Sequence, residues 1–361
     1  MKKRVLQKGI LIPVLIICTI FVLFTPFVIV GNKSIFAEIE TIENVPHRNL
    51  EISKDQNGIT TIKNDESNAD IKILQLSDLH ICCSYFTKER DAAIIKAIVK
   101  VVNFAQPDLI VISGDMLFPF IFRSYCTDNE TMAKAFISTF EKIGIPYAMI
   151  FGNHDAESLA KWNKSQLSDY FSSSTLQHSL YESGEPMSGI GNYAIKLLNN
   201  DGTLSQVAYF IDNGEGDIKQ NQIDWYSRKV SDFNTEADRS VPSIIFMHIP
   251  LYEYQLAYEQ SNNDFLYGYL NESISSINPE CRFFDTIKAL ASTTAIFCGH
   301  DHRNTCGMLY EGILLSYCPT LDYNAYLNFY ENEELMGGQI ISLNSNDGTV
   351  DVNQIYLLDI P

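Results

Sequence analysis

The sequence predicts one mixed α/β domain built on two facing, mixed β-sheets flanked by helices. Three observations lead there. Short apolar runs of β type alternate with amphipathic helical segments through the first half, β-type runs dominate the second half, and no internal repeat is visible. The 361 residues are 46% hydrophobic and 19% charged, which excludes a disordered chain, a collagen and a coiled coil.

The elements follow in chain order. Lys2, Lys3, Arg4 and Lys8 precede an uncharged run from Gly9 to Gly31. About 20 apolar residues suffice to cross a bilayer as a helix. Pro13 and Pro26 near the ends of the run suit an uncleaved anchor, and Ala37 suits a cleavage site. Residues 1–37 are therefore read as a signal peptide or an N-terminal membrane anchor. Either reading keeps the cations in the cytoplasm and sends the rest outside, secreted or anchored. Residues 38–69 read as a polar tether with a short edge strand over 58–63, and 70–361 as the folded domain.

Within that domain, Ile71 to Leu76 is a strand ending in Ser77-Asp78. A helix follows with Ile94, Ile95, Ile98, Val101 and Val102 on one face, and Pro107 ends it. Leu109 to Ile112 is a second strand, ending at Gly114-Asp115. Met132, Phe136, Phe140 and Ile143 form the next helical stripe, and Tyr147 to Phe151 a third strand ending at Gly152-Asn153-His154-Asp155. This βαβαβ order implies a parallel sheet with right-handed crossovers. Further on, Tyr193 to Leu198 and Leu204 to Ile211 flank Asn199-Asn200-Asp201-Gly202, a hairpin signal. The remaining β-runs are Ser243 to Met247, Ala295 to Phe297, Gly312 to Tyr317, Gln339 to Leu343 and Val350 to Leu357.

Charge limits the partners. The net charge is −18, and since residues 1–37 contribute +5 the remainder carries −23. A body this acidic, without basic blocks, is a poor partner for nucleic acid. Eight cysteines include Cys18 in the leader, so the odd number that follows leaves at least one thiol without an intrachain partner.

The histidines carry the chemistry. Of seven, His80, His154, His248, His300 and His302 lie just past the ends of β-type runs, as do Asp78, Asp115 and Asn153. The carboxyl ends of strands in an α/β sheet form the rim where ligands bind. Imidazole, carboxylate and amide groups gathered there make a metal site by ligand type, with mixed N/O donors that suit Mn, Fe or Zn. Two donor sets sharing one carboxylate suggest two ions.

The order Asp78-x-His80, Gly114-Asp115, Gly152-Asn153-His154-Asp155, His248, Gly299-His300-Asp301-His302 resembles the calcineurin-like metallophosphoesterase family over about Ile71 to His302. That resemblance implies a four-layer αββα sandwich around two divalent or trivalent metal ions. By the same resemblance, Asp78, His80 and His302 would hold the first ion, Asn153, His248 and His300 the second, and Asp115 would bridge them. His154 would stand beside the substrate as proton donor, with Asp155 as a weak candidate to orient it. The stretches Gln222-Ile223-Asp224-Trp225 and Ile249 to Tyr254 are similar to a purple acid phosphatase-related branch. True purple enzymes have Asp-x-Gly where this chain has His80, and a tyrosine where it has Phe118. Lacking that phenolate, the chain is expected to be colourless.

With the export read from the leader, the resemblance leads to an exported hydrolase of phosphate monoesters, acting through a metal-bridging hydroxide on a small phosphorylated substrate. A phosphodiesterase of nucleotides or phospholipid head groups is the rival within the family, and a non-catalytic cell-surface metal-binding protein the rival outside it. The aromatics Phe118, Phe120, Phe122, Tyr125, Tyr252, Tyr254 and Tyr258 are candidates to stack on a leaving group or simply to pack. Cys306 is a candidate partner for Cys82 or Cys83, because the ligands they follow would share one metal.

Overall fold

The structure, a computed structural model, describes residues 31–63, 70–214, 216–326, 333–344 and 347–361. Three strands after the βαβαβ pattern, β3 (Ile71–Leu76), β4 (Leu109–Ser113) and β5 (Tyr147–Ile150), pair in parallel. Helices α2 (Lys88–Ala105) and α4 (Asn129–Ile143) connect them, with the single turn α3 (Ile121–Ser124) ahead of α4. Every residue expected on the apolar faces of α2 and α4 is buried. Asp128 caps α4 by accepting from the Thr131 N–H, and Gly144 ends it in the left-handed conformation. The antiparallel strands β12 (Gly337–Leu343) and β13 (Val350–Tyr356) complete a five-stranded sheet in the order β13-β12-β3-β4-β5.

The second sheet has eight strands. It contains β1 (Glu51–Lys54), β2 (Thr60–Lys63), β6 (Tyr193–Leu198), β7 (Leu204–Phe210), β8 (Ser243–Phe246), β9 (Thr293–Cys298), β10 (Gly307–Tyr310) and β11 (Ile313–Tyr317). Their order is β1-β2-β6-β7-β8-β9-β11-β10. The hairpin turn at 199–202 joins β6 to β7 as expected. Side chains tie the sheets face to face: Gln75 of β3 reaches the Cys298 carbonyl of β9, and Ser316 of β11 donates to Gln339 of β12 at 3.1 Å. Helix α6 (Gln220–Ala237) and α8 (Phe283–Leu290) pack on each other and cover the larger sheet. The shorter helices α5 (Lys164–Phe171) and α7 (Glu253–Ser261) pack on α4 and β10 respectively.

Residues 38–69 are not a tether where the structure describes them. A helix, α1, runs over 31–39. Ile35 and Ile39 are buried on one face of it, and Ile42 and Val45 are buried in the segment that follows. Glu38 pairs with Lys96 of α2 and Glu40 with Lys142 of α4, so α1 docks between them. Strand β2 is interior to its sheet, between β1 and β6, and β1 is the edge. The polar composition concealed this because both strands are short and only β2 is buried. Ala37 lies in α1, between buried Ile35 and Ile39. The apolar run up to Val30 lies outside the described residues, and among those described no helix is long and apolar enough to cross a membrane.

Candidate metal centre

The loops after β3, β4, β5, β8 and β9 meet at one rim where the two sheets face each other. The chain must bend sharply there. Asp78, His80, Asp115 and His300 all adopt positive φ, between 50° and 71°. Such backbone costs of order 1 kcal/mol per residue and concentrates at functional sites. The motif glycines have a reason to be glycine. A Cβ on Gly152 would strike the Asp115 carboxylate, and one on Gly299 would strike Ser77 and Asp78.

Two groups of donors result. Asp78, His80 and His302 offer atoms within 4.8 Å of one another, and Asp115, His248 and His300 form a second such group. One oxygen faces both: Asp115 Oδ2 lies 3.1 Å from His80 Nε2 and 3.2 Å from His248 Nε2. Asn153 Oδ1 is 3.2 Å from His248 Nε2, on the side of the second group. Asp78 Oδ1 is 3.4 Å from His302 Nε2. All seven residues proposed as ligands from the sequence are thus brought together. Asp78 Oδ1 and His80 Nδ1 are buried with no hydrogen-bond partner, an arrangement that leaves polar atoms uncompensated unless a ligand joins them. The donor set, all carboxylate, imidazole and amide oxygen, fits two cations with N/O ligation.

Burial opposes charge on Asp115, but His248 overcomes it and holds the carboxyl well below the usual range. Burial likewise opposes the charged form of His248, yet Asp115 and Asp78 push it up to about 9. His302 is raised well above normal against its burial, by Asp78 and Asp322. Burial pushes His80 down to about 4, and burial together with His248 does the same to His300.

His154 stands at the edge of this cluster, half-buried, its ring 5.5 Å from that of His80. Its Nδ1 meets Glu157 Oε1 at 2.6 Å. Asp155 does not orient it. Both Asp155 oxygens are taken by backbone, the N–H of Leu117 at 2.9 Å and of Gly152 at 2.7 Å. Phe118 stacks flat on His80 at 4.7 Å. Phe118 and Tyr254 are core residues, whereas Phe122 and Tyr125 are exposed. The proposed Cys306 bridge is absent: Cys82, Cys83 and Cys306 are all free, the Cys82 thiol being turned onto the His80 carbonyl at 3.3 Å.

Three supporting residues were missed in the sequence. Glu157 holds His154. Asn213 accepts from the His248 N–H at 3.1 Å and donates to the Ile249 carbonyl at 2.6 Å. Asp322 accepts from His302 Nδ1 at 3.1 Å. Asp322 lies five residues past the end of β11, farther than the strand-end pattern that found the ligands, so the sequence carried no signal for it.

The model of the calcineurin-like phosphoesterase family matches residues 71–304. The chain belongs to that family. Among similar proteins, "Probable inactive purple acid phosphatase 29" of Arabidopsis thaliana is 28% identical, over 72% of this chain and 74% of its own. "Phosphatase DCR2" of Saccharomyces cerevisiae is also 28% identical, over 64% of this chain, which spans only 44% of the yeast protein. A dimetal phosphatase from Danio rerio resembles it in structure with a TM-score of 0.44 and 9% identity, over 80% of this chain and 99% of that one. The likeness to the purple acid phosphatase-related branch agrees with the names of such relatives, and the four-layer expectation with the two facing, helix-flanked sheets of this phosphoesterase.

Proposed function

We propose that this phosphoesterase is an exported, dinuclear-metal hydrolase of phosphate monoesters. The observation that carries the reading is Asp115 Oδ2, shared at hydrogen-bond distance between two buried donor groups with His154 at their edge. Asp78, His80 and His302 would hold one ion, Asn153, His248 and His300 the other, and Asp115 both. Bound there, such ions would neutralise charge on phosphoryl oxygens and acidify water to near-neutral pH. The protein's own part is placement and proton transfer. Glu157 fixes His154 through Nδ1, which leaves Nε2 to protonate the departing alkoxide. Phe118 walls the site by stacking on His80 and offers no phenolate to a metal. The name of the yeast relative, a phosphatase, supports the monoester reading. Export is supported by the four early cations and the apolar run behind them, and the acidity of the body speaks against nucleic acid as the substrate.

The test compares mono- and bis-nitrophenyl phosphate, with and without chelator, beside His154→Ala. Monoester turnover that chelator abolishes is expected, and His154→Ala should lose about 10²–10⁴-fold in rate with metal content unchanged. Faster diester turnover would replace the monoester reading. Two bound metals with neither activity would make the chain a non-catalytic binder.

A further inference from the structure

We propose that Asp322 is a positioning residue that sets the tautomer of His302 for metal binding and faces His80 beside it, a reading that rests on the dinuclear centre proposed above. Its carboxyl is buried, and its two oxygens divide between the two rings. Oδ2 accepts from His302 Nδ1 at 3.1 Å, and Oδ1 faces His80 Nδ1 at 3.7 Å. That nitrogen of His80 is one of the buried atoms without a hydrogen-bond partner. The opposite nitrogens face the centre: His80 Nε2 lies 3.1 Å from Asp115 and His302 Nε2 lies 3.4 Å from Asp78. A ring that keeps its proton on Nδ1 presents the Nε2 lone pair to a metal. The carboxylate therefore orients the imidazole of His302 through a hydrogen bond and lies next to that of His80.

The carboxylate is itself held in place. The backbone N–H groups of Asn324 and Ala325 donate to Oδ1 at 2.8 and 2.7 Å, and that of Tyr326 donates to Oδ2 at 2.9 Å. The second donor group is supported differently. His248 Nδ1 is held at 2.8 Å by a neutral group, the Ser113 carbonyl. Loss of Asp322 should therefore weaken one ion and spare the other. A carboxylate partner also makes the ligating nitrogen more basic than a carbonyl does.

The test titrates Zn²⁺ into metal-free full-length protein against a competing chelator. Two ions should bind to the unaltered chain. Asp322→Asn, which keeps the shape, should weaken one of them by about 10–100-fold and leave the other within about twofold. Asn324→Ala removes the loop's bond to the His80 carbonyl but keeps the carboxylate, and should leave both ions within about twofold. Unchanged binding in Asp322→Asn, equal loss of both ions, or an equal effect of Asn324→Ala would overturn the assignment. An unaltered chain that binds no zinc would end the dinuclear reading and this one together. Two ions in the unaltered chain with none weakened in Asp322→Asn would end this one alone. Should Asp322→Asn not fold, the zinc-loaded unaltered protein with ¹⁵N-labelled histidine tests the same contact by magnetic resonance. A downfield, hydrogen-bonded His302 Nδ1–H is expected, and that proton at the position of one without an acceptor overturns the proposal.

Discussion

Asp115 and the imidazoles around it hold charge in balance by keeping protons, and that balance gives metal binding a direction in pH. His248, pushed up to about 9, and His302, raised well above normal, carry protons at neutral pH on the nitrogens that a metal would need. His80 and His300, pushed down to about 4, are already neutral at pH 6. Raising the pH removes the competing protons, so affinity should climb from pH 6 to about 9, by roughly tenfold per unit for each proton displaced. Chelator competition across that range measures it, and a flat profile would mean that these two rings are not ligands. The ligand residues were legible because each sits just past a strand, where a one-dimensional pattern maps onto the rim. The roles of Glu157 and Asp322 were not, since they depend on which way a loop folds back. Asp155, adjacent in sequence to His154, proved to serve the backbone of Gly152 and Leu117 instead.

Among the elements, the parallel strands and the faces of α2 and α4 were legible because apolar periodicity is strong there. Helix α1 and the β1–β2 pair were not, because polar and acidic residues separate a few apolar anchors. The difference has an energetic consequence. Ile39 is 1% exposed and packs into the core, so Ile39→Ala should cost about 2–4 kcal/mol in equilibrium denaturation. Lys33→Ala, on the exposed side of the same helix, should change stability by no more than about 0.5 kcal/mol. Equal and negligible effects of the two substitutions would restore the tether reading and detach α1 from the domain.

At the scale of the molecule, one run of aromatic rings leads outward from the loop beside Gly31 and another from the candidate centre. The backbone at Gly31, where the apolar run ends, sits against Ser84 and Tyr85. Tyr85 contacts Phe86, which packs on exposed Tyr125 at 5.1 Å. From the other direction, His154, Phe118, Phe120 and Phe122 follow one another at ring distances between 5.1 and 5.9 Å, and Phe122 is 77% exposed. Exposed tyrosine rings such as that of Tyr125 are among the side chains that settle readily at a membrane–water boundary. Export of the domain can be read without assuming that the leader is kept. Protease added to intact cells should degrade the domain, or the domain should appear in the medium. In the first case its resistance to alkaline extraction from membranes identifies an anchor, and in the second a shortened chain identifies cleavage. A full-length domain protected inside intact cells would remove the export proposal. The metal centre would be untouched by that result, because its candidate ligands lie on the loops that follow β3, β4, β5, β8 and β9.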